Sequence, residues 1–135
     1  MSWETTHNAV NSRFKTQVAD TQSVATIYDN FPGDPPVDTI WVRWSVRQAV
    51  ASQVSFSGAS SGRFRHPGLA IAQIFVPVES GTQDGIQLAD IIKAAFRAVT
   101  VASVTYQTPY FTQVGVTDGW WQMNVSCPFY FDEVV

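Results

Sequence analysis

Charge is scarce in this chain: of its 135 residues only 14% are Asp, Glu, Lys or Arg, well below the roughly 25% usual for a soluble domain. Once a core is filled, such a composition leaves an apolar or neutral surface, the kind that meets a partner. Cysteine is reduced to Cys127, so no intrachain disulfide can form and a disulfide scaffold is excluded. A reducing cytosol suits that usage. No stretch reaches the roughly 20 apolar residues that span a bilayer, and no basic segment leads into an N-terminal apolar run. The sequence therefore reads as soluble and unexported, with no membrane partner.

The residues that carry chemistry are equally few. His7 and His66 are the only histidines, and neither stands at metal-ligand spacing from Cys127 or from the other. Cys127 precedes Pro128 in an apolar run, where a lone thiol packs as a small hydrophobe and nothing lowers its pKa. Gly58, Gly62 and Gly68 fit neither the GxxxxGK[ST] nor the GxGxxG pattern, which leaves no phosphate cradle. Nucleophile with base, paired carboxylates and metal cluster are all missing, so the reading is no enzyme, no catalytic residue, no metal and no cofactor.

What is present is a core. Hydrophobic residues make up 45%, with five Trp, four Tyr and nine Phe, enough to exclude disorder and to fill one domain over residues 1–135. The formal charge of −3 argues against a protein whose task is to grip nucleic acid. All eight bases (Arg13, Lys15, Arg43, Arg47, Arg63, Arg65, Lys93 and Arg97) lie before residue 98, while Asp118, Asp132 and Glu133 follow without a base. The chain's surplus of acid belongs to its C-terminal part.

The hydrophobic pattern predicts a helix from Ser2, with Trp3, Val10, Phe14 and Val18 at helical spacing, then a strand over Val24 to Tyr28. Asp29 to Pro36 is too rich in Pro, Gly and Asp for helix or ladder. From Val37 to about Phe56 the chain alternates, Ile40, Val42, Trp44 and Val46 opposing Trp41, Arg43, Ser45 and Arg47, as one long bent strand or a pair broken near Ala49 to Ser52. Gly58 to Gly68 reads as a long mobile loop, Leu69 to Val78 as a buried strand, and Asp84 as the cap of a second helix. Strands over 102–107, 111–116 and 120–131 follow, with Thr117-Asp118-Gly119 as a hairpin turn. Helix, three strands, helix, three strands points to an α+β fold: an antiparallel or mixed β-sheet packed against two α-helices in a single domain.

Three groups of residues are candidates for contact. Arg63, Phe64, Arg65 and His66 lie on the glycine-tethered segment, where basic side chains meet either phosphates or the acidic surface of a neighbouring subunit, the second being favoured. Arg43 and Arg47 share a strand face beside Trp41, and either bind a partner or pair internally with Asp38 or Asp90. Trp120 and Trp121 face opposite ways, so that one fills the core and the other is exposed or buried at an interface.

These motifs also carry a resemblance. Ile40-Trp41-Val42-Arg43-Trp44-Ser45-Val46-Arg47, Gly62-Arg63-Phe64-Arg65-His66-Pro67-Gly68, Gln73-Ile74-Phe75-Val76-Pro77, Leu88-Ala89-Asp90-Ile91-Ile92 and Gly119-Trp120-Trp121-Gln122-Met123-Asn124-Val125, in that order, resemble the tail terminator (tail completion) proteins of long-tailed bacteriophages over roughly three quarters of the chain. The resemblance implies a structural virion protein at the tail-neck junction, assembled in the host cytoplasm. It would form a ring, commonly a hexamer, that caps the tail tube, ends its polymerisation and joins the head. Its implied partners are other copies of itself, the tail tube protein and the head-tail connector or neck protein, with DNA only in transit. On that reading Arg63, Phe64, Arg65, His66, Arg43, Arg47 and Trp121 face protein interfaces, and Asp118, Asp132 and Glu133 face the lumen or neck, where negative charge keeps passing DNA from sticking. Alternative readings are a head-closure or tail-tube subunit and, from a different class, a small hydrolytic or ligand-binding domain with a pocket under Trp41 and Trp44.

Overall fold

The structure, a computed structural model, describes residues 2–56 and 62–134. Ser2 starts the first helix with a capping box: its hydroxyl accepts the Thr5 N–H at 3.1 Å, while its own N–H donates to the Thr5 hydroxyl at 3.0 Å. The rod continues as α1 (Trp3–Phe14), a π-helical stretch (Lys15–Ala19) and a final turn, α2 (Asp20–Gln22), and ends at Ser23 in the left-handed region. Thr6, Val10, Phe14 and Val18 are all fully buried. Their steps of four would drift around a regular α-helix of 3.6 residues per turn, and the widened π turn brings Val18 back over the sheet.

The sheet has eight strands: β1 (Ala25–Tyr28), β2 (Trp41–Gln48), β3 (Ser52–Phe56), β4 (Gly62–Pro77), β5 (Thr100–Val101), β6 (Val104–Tyr106), β7 (Tyr110–Thr117) and β8 (Trp120–Val134). β1 and β2 pair in parallel and every other pair is antiparallel. Its spine is β4 against β8, in register from Arg63↔Val134 to Pro77↔Trp120. Shorter strands share the outer edges of these two: β2 and β3 follow one another along β4, and β7 and β6 along β8. The fold is α+β with a mixed sheet, as the sequence predicts.

The loop expected over Gly58 to Gly68 is corrected where it can be seen. Residues 57–61 lie outside the described part, but Gly62 to Gly68 form the first half of β4. Two features hide a strand here. Pro67 lacks an N–H, and it sits in the gap between the end of β2, paired at Gly68, and the start of β3, paired at Arg65. Its carbonyl accepts the Ala49 N–H on that side, so the missing donor faces a place where no ladder requires it. Gly68 lies under its cross-strand partner Phe129, whose ring atoms would be 2.3 and 2.7 Å from a Cβ at that position.

Helix α3 (Gln83–Phe96) is capped at Thr82 rather than Asp84, which falls in its first turn and interacts favourably with the helix dipole. It buries Gly85, Leu88, Ala89, Ile92 and Phe96, a stripe at steps of three and four. Ile86 lies off this stripe and is exposed. Gly85 seats the helix: a Cβ there would be 2.7 Å from the Met123 Cε and 2.8 Å from Val76. The two helices meet where the Arg13 Nε donates to the Ala95 carbonyl at 2.7 Å. Between helices and sheet lies one core built around Trp44, which stacks on Phe14 at 4.1 Å, packs on Phe96 at 5.2 Å and donates its indole N–H to Asn11.

Candidate functional site

Both helices cover the face formed by Val42, Trp44, Ala72, Ile74, Met123, Val125 and Phe129. Because side chains alternate along a strand, Trp41, Arg43, Ser45 and Arg47 of β2, Gln73 and Phe75 of β4, and Trp120, Gln122 and Asn124 of β8 project from the opposite face. That face carries no helix. Candidate contact residues therefore fall at three places: one end of the spine, the helix-free face, and the outer edge of β7.

At the first end, the β4–β8 register brings the basic segment and the acidic terminus together. Arg65 pairs with Asp132 through two hydrogen bonds, Nε to Oδ1 at 2.9 Å and Nη2 to Oδ2 at 3.1 Å, with its guanidinium 4.0 Å above the Tyr130 ring. This fork geometry fixes both partners. The Arg65 hydrogen bond holds the Asp132 carboxyl below its ordinary pKa and raises that of the guanidinium. Arg63 approaches the same carboxylate at 4.0 Å. His66 is buried, stacked on Phe131 at 4.6 Å and met edge-on by Trp3 at 5.7 Å. Its ring nitrogens make no hydrogen bond among the described residues, and the Glu133 carboxylate stands 3.5 Å from Nε2. Phe64 is half-buried beside them. In this chain the basic segment's first acidic neighbours are its own Asp132 and Glu133.

Asp118 is far from that cluster. It forms the β7–β8 turn with Gly119, both at positive φ (49° and 82°), as a two-residue hairpin of the primed type requires. Asp118 thus lies at one end of β8, and Asp132 and Glu133 at the other. They do not form one patch.

On the helix-free face, Arg47 pairs with Asp29 at 3.4 Å, and the same carboxylate accepts the Ser45 hydroxyl at 2.9 Å. Asp29, not Asp38 or Asp90, is the internal partner. It starts the Pro-rich segment, which folds back along β1 and β2: a Cβ at Gly33 would touch Ile27, and Pro35 reaches the cavity beside Trp41. Arg43 has no acid partner among the described residues and lies over the Trp41 and Phe75 rings, 5.6 and 5.9 Å from their centroids. Although it projects away from the core, Trp41 is 3% exposed, because Phe75 stacks on it at 4.2 Å and Trp120 meets it edge-on at 6.0 Å. The pocket expected under Trp41 and Trp44 does not exist as one site, since the two indoles lie on opposite faces.

Strand β7 bonds to β8 along one edge and to no strand along the other among the described residues. Tyr110, Phe111, Val114 and Val116 are exposed on it. A groove of about 210 Å³ runs between Phe111 and Ile86 of α3, and a hollow of about 420 Å³ is formed by Val116, Val78 and Trp121. Trp121 packs half-buried against the margin of the core, its indole N–H enclosed without a partner. Sequence reasoning passed over this edge, although Tyr110 to Thr117 contains no charged residue at all, an unusual edge for a strand facing water.

Cys127 is fully buried and burial pushes its thiol up to about 12, which keeps it protonated at neutral pH. Among the described residues no three His, Cys, Asp or Glu side chains stand together to hold a metal ion, and no helix is long and apolar enough to cross a membrane.

Ten chains of known structure are similar to this one. One of them aligns with a TM-score of 0.67 at 17% identity, covering 98% of this chain and 96% of its own, and shares the fold. No curated protein sequence matches. The profile of a family described as phage tail terminator protein matches residues 5–129, from the capping turn of α1 to the last core residues of β8. The chain belongs to the phage tail terminator family, a family of structural virion proteins.

Proposed function

We propose that this protein closes the end of a phage tail tube as a ring, commonly of six copies, stopping tube growth at the tail-neck junction and giving the head connector a surface to join. The observation that carries the reading is the unlikeness of two surfaces on one small subunit: an open edge on β7 whose own residues carry no charge, beside grooves bordered by Asp90, Lys93 and Glu79, and a charged end where Arg63, Arg65 and His66 meet Asp132 and Glu133. Rings arise when one patch of a subunit meets a different patch of the next. The β7 edge and Trp121 serve as one such patch. The charged end, with Arg63 and Glu133 at its rim, serves as contact to the neighbour or the tube, and Arg47 and Arg43 mark the helix-free face as the third.

Light scattering of the purified protein over a range of concentrations, followed by imaging after mixing with tail tubes, tests this. Rings in solution or at one tube end support it. A strict monomer that ignores tubes at high concentration refutes it. In the same assay Arg63→Glu with Arg65→Glu abolishes capping if the charged end is a contact, and normal capping removes that surface.

A further inference from the structure

The helix-free face, which the ring reading takes only as a third contact marked by Arg43 and Arg47, holds a further feature. A cavity of about 390 Å³ opens there, floored by Trp41, Phe75 and Trp120 and bordered by Arg43, Gln73 and Asp118. Its floor belongs to an aromatic cluster separate from the main core. Arg43 is exposed and is the one cation at the cavity. The rings beneath its guanidinium hold it in place by cation–π attraction, and no carboxylate among the described residues occupies its N–H groups. Beside it, the register places Gln73 of β4 and then Asn124 of β8 in the same row, neighbouring strands being about 4.8 Å apart. Gln122 donates to Asn124 at 3.0 Å, while Gln73 makes no hydrogen bond among those resolved.

An arginine at the margin of an aromatic stack, 5.6 and 5.9 Å from the two ring centroids and with no carboxylate partner among the described residues, can take a carboxylate through a pair of parallel bonds. We propose that this cavity receives a carboxylate side chain, Asp or Glu, from an acidic segment of a partner protein, with Arg43 as the clamp, Gln73 as a second donor and the Trp120 indole packing on the segment's apolar atoms. Charge complementarity selects this occupant: Arg43 is unpaired in a chain that otherwise carries a surplus of acid. Asp118, on the far border beside Trp120, opposes an anion and limits the site to a carboxylate that enters from the Arg43 side. The inference rests on these residues and not on ring formation.

The test is a titration of isotope-labelled protein with triglutamate and with triglutamine, both N-acetylated and C-amidated so that only the Glu side chains carry carboxylates, reading the Arg43 Nε–H and the indole N–H signals of Trp41 and Trp120 by NMR. Triglutamate should shift these signals, with Trp3 and Trp44 unmoved, and triglutamine should not. Arg43→Gln should weaken the binding at least about tenfold, and Asp118→Asn should tighten it roughly twofold. Equal response to both peptides, an unchanged affinity in Arg43→Gln, displacement by sulfate at equal concentration, or no response at about 20 mM peptide would each overturn the proposal. Arg43 and Asp118 are exposed, so the variants fold, which the unchanged remaining signals verify.

Discussion

At the scale of single residues, Gly68 has the least freedom to change. Its Cβ position is filled by the Phe129 ring and lies 2.9 Å from the Arg47 carbonyl oxygen, so Gly68→Ala must displace a fully buried aromatic or the backbone of β2. A loss of about 1–3 kcal/mol is expected, read as a lower urea midpoint with the slope unchanged. Cys127 should be inert to thiol reagents in the native protein and react in denaturant, because its thiol is buried and pushed up to about 12; rapid modification without unfolding would contradict the packing. Asp132 makes stability depend on pH. Its carboxyl is held below its unfolded value, chiefly by the Arg65 hydrogen bond, so the ion pair's contribution is complete above the unfolded carboxylate pKa of about 3.9. It is lost as pH falls through the lower, folded value. Asp132→Asn should therefore be less stable than the parent at pH 7, and the difference should close on acidification below about pH 4. A gap that persists at pH 2 would mean that the pair is not its source.

At the scale of elements, periodicity made the helices and most strands legible. Val10, Phe14 and Val18 and the α3 stripe recur at helical spacing, and alternation along β2 assigns Val42, Trp44 and Val46 to the core. The first half of β4 was not legible, since Gly62, Pro67 and Gly68 look like loop residues until the gap between β2 and β3 and the overlying Phe129 are seen. For the same reason the link between Arg65 and Asp132 could not be read: it joins positions 67 apart through a register that local sequence does not encode. The burial of Trp41 depends likewise on Phe75 and Trp120, which come from two other strands. The β7 edge is the element that most needs a partner. Val116 is 67% exposed on it, so Val116→Lys should leave monomer stability within about 0.5 kcal/mol while lowering self-association in light scattering, as charge on an open edge blocks strand pairing. Unaltered association would place the subunit contact elsewhere.

At the scale of the whole molecule, helices occupy one face of the sheet and leave three unlike regions outside it: the uncharged edge, the charged end and the aromatic cavity. On the proposed function a subunit between a tube and a connector needs contacts in several directions at once, and a sheet faced on one side only offers them without adding mass. The low charge suits such contacts, since side chains covered by neighbours gain little from being ionised. Mixing tubes with the Val116→Lys and Arg63→Glu/Arg65→Glu proteins separates the two contacts: lateral failure should give isolated subunits at the tube end, whereas axial failure should give rings that remain in solution.

The pairing of β4 with β8 also has a mechanical meaning. A pull that draws β4 and β8 in opposite directions along their length loads the hydrogen bonds between Arg63↔Val134 and Pro77↔Trp120 side by side in shear, so that none can yield before its neighbours share the strain. A pull across the strands would instead open them one after another. The subunit's resistance to force therefore has a direction, set by the β4–β8 spine and not by the helices that cover it.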